Sequence, residues 1–221
     1  MSQANKRPLW ITKIKTTYKK NMENFKETID RLSKTKYQER GNGIKAIAEY
    51  IEKKEGKEAV SKIEEKLAQY GYPVILKEIR ALGWYPVALT AALLFAISET
   101  LNWGEKEMKE MGQVEPKMSF LVKYLAKYII SIKRLYQAAT IFWKKTYNFG
   151  KLETIELNQK EKYGILRIKD FNIHPFFCRY LEGYFETISG FVLRGVKKIW
   201  CQEVKCNFQG DSFHEFIIRW E

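Results

Sequence analysis

Four side chains in the C-terminal part of the chain have types that can do chemistry together: Cys178, Glu203, Cys206 and His214. Two thiols, a carboxylate and an imidazole form a donor set suited to a borderline-soft metal such as zinc. Cys178 stands ahead of Leu181 and Phe185 at helical spacing, which turns it toward an apolar side. Cys206 and His214 flank the polar turn Gln209-Gly210-Asp211-Ser212, and residues on either side of a short turn can face one another. Glu203 precedes Cys206 by three residues. In a regular strand those two would point to opposite faces. Both reach one ion only across a bulge or bend. A plainer reading competes. Free cysteines are usually small buried hydrophobes, His214 would then be a half-buried strand residue, and Glu203 an exposed charge. No CxxC pair is present, and residue types alone favour the plainer reading. His174 and Cys178, four apart, offer a second arrangement on one helix face, and Cys201 reads as structural.

Other chemistries have weak support. The chain holds two histidines, His174 and His214. No GxSxG elbow, GxxxxGK[ST] phosphate loop or GxGxxG turn is present. Acidic pairs such as Glu64-Glu65 read as solvated helix surface. The lean is against an enzyme.

Hydrophobic residues make up 45% of the 221 and aromatics 14%, enough for a substantial core. The longest apolar run, Val87 to Ile97, is too short to span a bilayer and reads as a buried helix. Met1 to Arg7 is polar with no apolar stretch behind it, and three cysteines make no disulfide framework. Both features suggest a reducing cytoplasm. The net charge is +13, but its cations are mixed with Glu, as in Glu52-Lys53-Lys54-Glu55. Solvated helix faces explain that pattern better than nucleic acid. The lopsided region is the start, where Lys6, Arg7, Lys13, Lys15, Lys19 and Lys20 precede Glu23. A basic arm binding nucleic acid or an anionic surface is the lesser alternative there.

The elements that must position these residues follow from periodicity. Ile11, Ile14, Tyr18, Met22, Phe25, Ile29 and Leu32 predict an amphipathic N-terminal helical extension over residues 1–40. It could pair with a second copy. A domain over 41–221 follows. It opens with helices from Ile44 to Gly56 and from Val60 to Tyr70, then a helix from Val74 to Leu82. The apolar helix runs from Pro86 to about Asn102, and a long helix from Pro116 to about Tyr147. The period then changes. Strands are expected over 152–157 and 163–169, a helix from Pro175, and strands over 197–208 and 213–220. Helices followed by strand-strand-helix-strand-strand predict an α+β domain with an antiparallel sheet.

From about Ala46 to Glu221 the chain resembles the 4-vinyl-reductase-type ligand-binding domains. These share a superfamily with heme-nitric-oxide-binding domains and the Golgi transport-particle (TRAPP-like) subunits. The resemblance is carried by Cys178-Arg179-Tyr180-Leu181-Glu182-Gly183-Tyr184-Phe185, by Glu203-Val204-Lys205-Cys206, and by Gly210-Asp211 followed by His214 and Phe216. It implies zinc held by Cys178, Glu203 and Cys206, with His214 standing where the family's final Cys is expected. It also implies a hydrophobic pocket, for which Trp84, Phe95, Tyr124, Tyr128 and Phe177 are the expected lining. Core packing is the rival role for each of these. The heme branch carries a Tyr-x-Ser-x-Arg signature. Tyr128-Ile129-Ile130-Ser131-Ile132-Lys133 has the wrong spacing and no Arg, so heme is not expected. The implied function is a sensory protein for an apolar or aromatic small molecule, signalling to a separate partner. An enzyme acting on a tetrapyrrole or similar hydrophobic substrate is the remaining alternative.

Overall fold

The computed structural model describes residues 25–119, 122 and 131–221. Its element order is α1 Phe25–Ser33, β1 Gln38–Arg40, α2 Asn42–Glu55, α3 Lys57–Gln69, β2 Trp84–Pro86, α4 Val87–Leu101 and α5 Glu105–Met118. Then come α6 Ile132–Thr146, β3 Lys151–Asn158, β4 Tyr163–Lys169, α7 Pro175–Gly190, β5 Ile199–Lys205 and β6 His214–Trp220. The expected α+β class is what the chain adopts. The main sheet is antiparallel in the order β3-β4-β6-β5, and α7 packs on β5 and β6.

Helix α4 is apolar all round, and every residue from Val87 to Ile97 is buried, as a central helix requires. It packs between α1 and α3. Phe25 of α1 stacks on Phe95 at 3.9 Å, and Ile29 and Leu32 are buried beside it. The earlier part of the N-terminal helical pattern and the basic run Lys6 to Lys20 lie outside the described residues.

Helices α5 and α7 approach backbone to backbone. A Cβ at Gly112 would overlap the Tyr180 carbonyl, and one at Gly183 would overlap the Lys109 carbonyl. Glycine at both positions lets the helices close. A methyl group there would overpack the contact at about 1–3 kcal/mol.

Three expectations are corrected. The segment 74–82 is not an α-helix but a single 3-10 turn at Leu76–Glu78. Ile75 and Leu82 are exposed, so the segment has no continuous apolar stripe to bury, and Tyr85 Oη takes the Arg80 N–H away from helical pairing. Pro116 does not open a helix. It lies near the end of α5, where it removes only the bond to the Gly112 carbonyl. The long helix expected from Pro116 is divided, because Ser131 is extended and caps α6 by accepting from the Arg134 N–H at 3.3 Å. The two-stranded sheet of β1 with β2 was not expected at all, since Gln38-Glu39-Arg40 carries no apolar alternation.

Among the described residues no helix is long and apolar enough to cross a membrane.

Candidate functional site

Helix α7 starts where His174 caps it: its Nδ1 accepts the Phe176 N–H at 3.1 Å, and Pro175 occupies the first turn. One turn in, Cys178 is buried toward the sheet. The register of β5 against β6 shifts between Glu203 and Lys205, leaving Val204 as the extra, exposed residue. This is the bulge that the spacing of Glu203 and Cys206 demanded. It brings Cys206 round to the face that already carries Glu203. His214 opens β6 on that same inner face, followed by buried Phe216, Ile218 and Trp220.

One ligand atom from each of Cys178, Glu203, Cys206 and His214 can be chosen so that all lie within 4.8 Å of one another. Glu203 Oε1 is 2.8 Å and Cys178 Sγ 3.7 Å from His214 Nδ1. His214 Nε2 donates to the Phe171 carbonyl at 2.8 Å. That bond fixes the proton on Nε2 and leaves Nδ1 facing the thiols, the usual second bond of a metal-binding histidine. The other carboxylate oxygen of Glu203 accepts from Arg179 Nη2 at 2.7 Å, and Asp211 holds the Cys206 N–H at 2.9 Å. Tetrahedral zinc would set its donors about 3.3–3.8 Å apart, so a contraction of roughly 1 Å closes the set.

The same groups perturb one another. Burial pushes the Cys178 thiol well up. The hydrogen bond from Cys178 holds Cys206 down to about 6, against burial and helped by His214. Burial alone would lower His214, but its bonds to Cys206 and Glu203 raise it to about 9.

On its other side α7 borders a cavity of about 260 Å³. Tyr136 and Trp143 of α6, Tyr147 after it, and Tyr180, Tyr184 and Phe185 of α7 form much of its wall. Several polar side chains break the apolar lining, two carboxyls among them. Glu39 is the inward residue of β1 and is 5% exposed; Glu115, on α5 beside the Gly112 contact, is 1% exposed. Among the described residues, neither Glu115 oxygen nor Glu39 Oε1 makes a hydrogen bond of good geometry. Burial raises Glu115 to about 8, with Tyr180 opposing. Burial and the nearby Glu115 raise Glu39 to about 8.

The expected pocket residues are placed elsewhere. Trp84 is 39% exposed under the Arg40 guanidinium, Phe95 is in the core, and Phe177 packs between Phe171 and Tyr180. None of the three lines the cavity. Tyr124 and Tyr128 lie outside the described residues. Tyr136 and Trp143 belong to the stripe that periodicity picks out on α6, but nothing in a stripe separates a cavity wall from solid core. Cys201 is buried, and the His174 ring packs edge-on against Phe95 rather than toward Cys178.

No protein-family profile and no characterised protein matches the sequence. Solved structures do match in shape. An H-NOX protein from S. oneidensis in the Fe(II)NO ligation state superposes with a TM-score of 0.64 at 14% identity, over 82% of this chain and 99% of that one. An unliganded Fe(II) H-NOX protein from K. algicida gives 0.57 at 14%, over 82% and 96%. An oxygen-binding H-NOX domain related to soluble guanylate cyclases, in its oxygen complex, gives 0.56 at 14%, over 82% and 92%. This chain has the H-NOX fold.

That finding corrects the expectation against heme, because H-NOX structures with this fold include ones solved to probe heme distortion. The Tyr-x-Ser-x-Arg spacing tested a signature, and at this identity a signature can be lost while the fold is kept. Among the described lining residues there is no His, Cys or Met; Tyr136, Tyr147, Tyr180 and Tyr184 are the side chains there of a type that ligates heme iron. The wall therefore offers an iron tyrosine oxygen and no histidine.

Proposed function

We propose that this protein is a small-molecule-binding, sensory domain whose ligand occupies the cavity between α6, α7 and β1, with a zinc ion at Cys178, Glu203, Cys206 and His214 clipping α7 to the sheet. The observation that carries the reading is the cavity itself: partly open, mostly apolar, with a few polar groups that include two buried carboxyls, as ligand sites generally are. The H-NOX fold and the resemblance to 4-vinyl-reductase-type domains support it.

Zinc would be structural here. Four protein donors leave no open position for a reacting water. Binding would act by packing. An occupant touches α6, α7 and β1 together, and Glu39 of β1 bridges Tyr147 at the end of α6. A ligand that fits one arrangement of these elements better than another shifts their populations. A separate partner or a second copy would read that shift.

Native mass spectrometry of the purified chain tests this. The expected result is one zinc per chain, lost to a chelator, and a retained organic mass that survives chelation. That mass would also report whether the occupant is a tetrapyrrole. Folded protein at its bare polypeptide mass, still bare after incubation with zinc and with apolar ligands, would overturn the proposal.

A further inference from the structure

We infer that Glu39 and Glu115 form a recognition site for an organic cation: a small ligand carrying an ammonium or amidinium group on an apolar body. This rests on the reading of the cavity as a ligand site and adds the chemistry of the ligand. The two carboxyls come from different elements, β1 and α5, and meet in one apolar chamber. Neither has its oxygens fully bonded among the described residues. Burying an unbonded carboxyl is costly, and burying two side by side more so, because each disfavours ionisation of the other.

The described neighbours relieve them only in part: Tyr180 acts on Glu115 by a hydrogen bond, and burial outweighs it. Among the described residues the titratable groups facing the pair are Tyr147, Tyr180 and Tyr184, each itself pushed up by burial and by the carboxyls. The cations at the rim, among the described residues, point elsewhere. Arg40 stacks on Trp84 at 3.9 Å and donates to the carbonyls of Leu82 and Lys145. Lys145 is exposed. A ligand cation supplies what is missing: opposite charge at low dielectric and several donors for orphaned acceptors. The tyrosine faces suit the same group. A bare metal ion fits less well, since the chamber has room for an apolar body and walls to match it.

The test is calorimetric titration of the full chain at pH 7.5 with 4-phenylbutylammonium, 4-phenylbutanol and 4-phenylbutyrate, which share one apolar body. The ammonium should bind at least tenfold more tightly than the alcohol, and the carboxylate should not bind. Glu115→Gln and Glu39→Gln should bring the ammonium down to the level of the alcohol. Binding of the ammonium to the unmodified protein should also release protons, seen as heat that depends on the buffer. Alcohol binding as tight as ammonium binding, or unchanged ammonium affinity in Glu115→Gln, overturns this inference and leaves the cavity reading standing. If none of the three binds, both fall. Should the variants fail to fold, buffer-independent heat with the unmodified protein is the overturning result.

Discussion

Glu115→Gln should stabilise the ligand-free protein at pH 9 and leave it nearly unchanged at pH 5. The sign follows from the direction of the shift. The folded protein raises Glu115 from 4.5 to about 8, so it keeps a proton that the unfolded chain gives up. A carboxyl of this kind contributes its full stability below the unfolded value. The contribution is lost as pH rises through the folded one. The whole shift is worth about 5 kcal/mol by the usual conversion. Water entry and relaxation around the charge reduce what is realised, and about 2–3 kcal/mol is expected at pH 9. For a chain of this length that is roughly 5–10 °C in Tm. Glu39→Gln should act in the same direction, because Glu39 is also raised to about 8, partly by Glu115. The two effects should therefore not add. Thermal melts of both variants and the double variant at pH 5, 7 and 9 give the answer. Parallel pH profiles for the unmodified protein and Glu115→Gln would show that the carboxyl does not sit in the environment described.

Removal of the metal should have the second large effect. On the proposal above, a zinc ion at Cys178, Glu203, Cys206 and His214 would tie the first turn of α7 to both strands of the final hairpin. Isolated zinc modules owe about 10–16 kcal/mol to their ion. This chain has a large core of its own, so about 3–5 kcal/mol is expected, roughly 10 °C in Tm. Cys178→Ser should cost a similar amount and abolish the response to chelator. Metal entry must also displace protons. The buried Cys178 thiol and the His214 imidazolium, raised to about 9, both hold theirs near neutrality. Zinc uptake should therefore acidify a weakly buffered solution, and affinity should weaken as pH falls. The rival is a self-contained ionic network in which Arg179, Glu203 and His214 satisfy one another. In that case chelator changes nothing, no proton release accompanies added zinc, and Cys178→Ser is mild.

The sequence offered Cys178, Glu203, Cys206 and His214 as possible ligands, but residue types alone favoured ordinary buried residues, and the resemblance supported the ligand set. The spacing of Glu203 and Cys206 stated that a bulge was needed for both to face one ion. That Val204 is the residue left out of the ladder depends on how β5 pairs with β6, which is a long-range matter. The α+β order was legible because strand and helix periods differ sharply after Gly150. The helix from Glu105 was hidden by its charge, since EKEMKEMGQVEPKM buries only a narrow stripe of Met108, Met111 and Gly112 before Glu115 and Pro116.

The cavity was not legible. Phe95 and Trp143 look alike by periodicity, yet one fills the core and the other lines a void. Glu39 and Glu115 sit in polar stretches where a buried acid has no local signature. Their burial comes from β1 joining β2 and from α5 closing on α7, neither of which a local pattern reports.

The claim that the cavity is a ligand site is tested most directly by an apolar fluorophore that brightens when shielded from water. It should bind the unmodified protein saturably, one per chain. Ala139→Trp, which places a large ring in the cavity wall, should abolish that binding while the protein stays folded. Ile141→Trp, on the exposed side of the same helix, should leave it intact. Equal fluorophore binding in all three proteins, or none in any of them, would contradict the account.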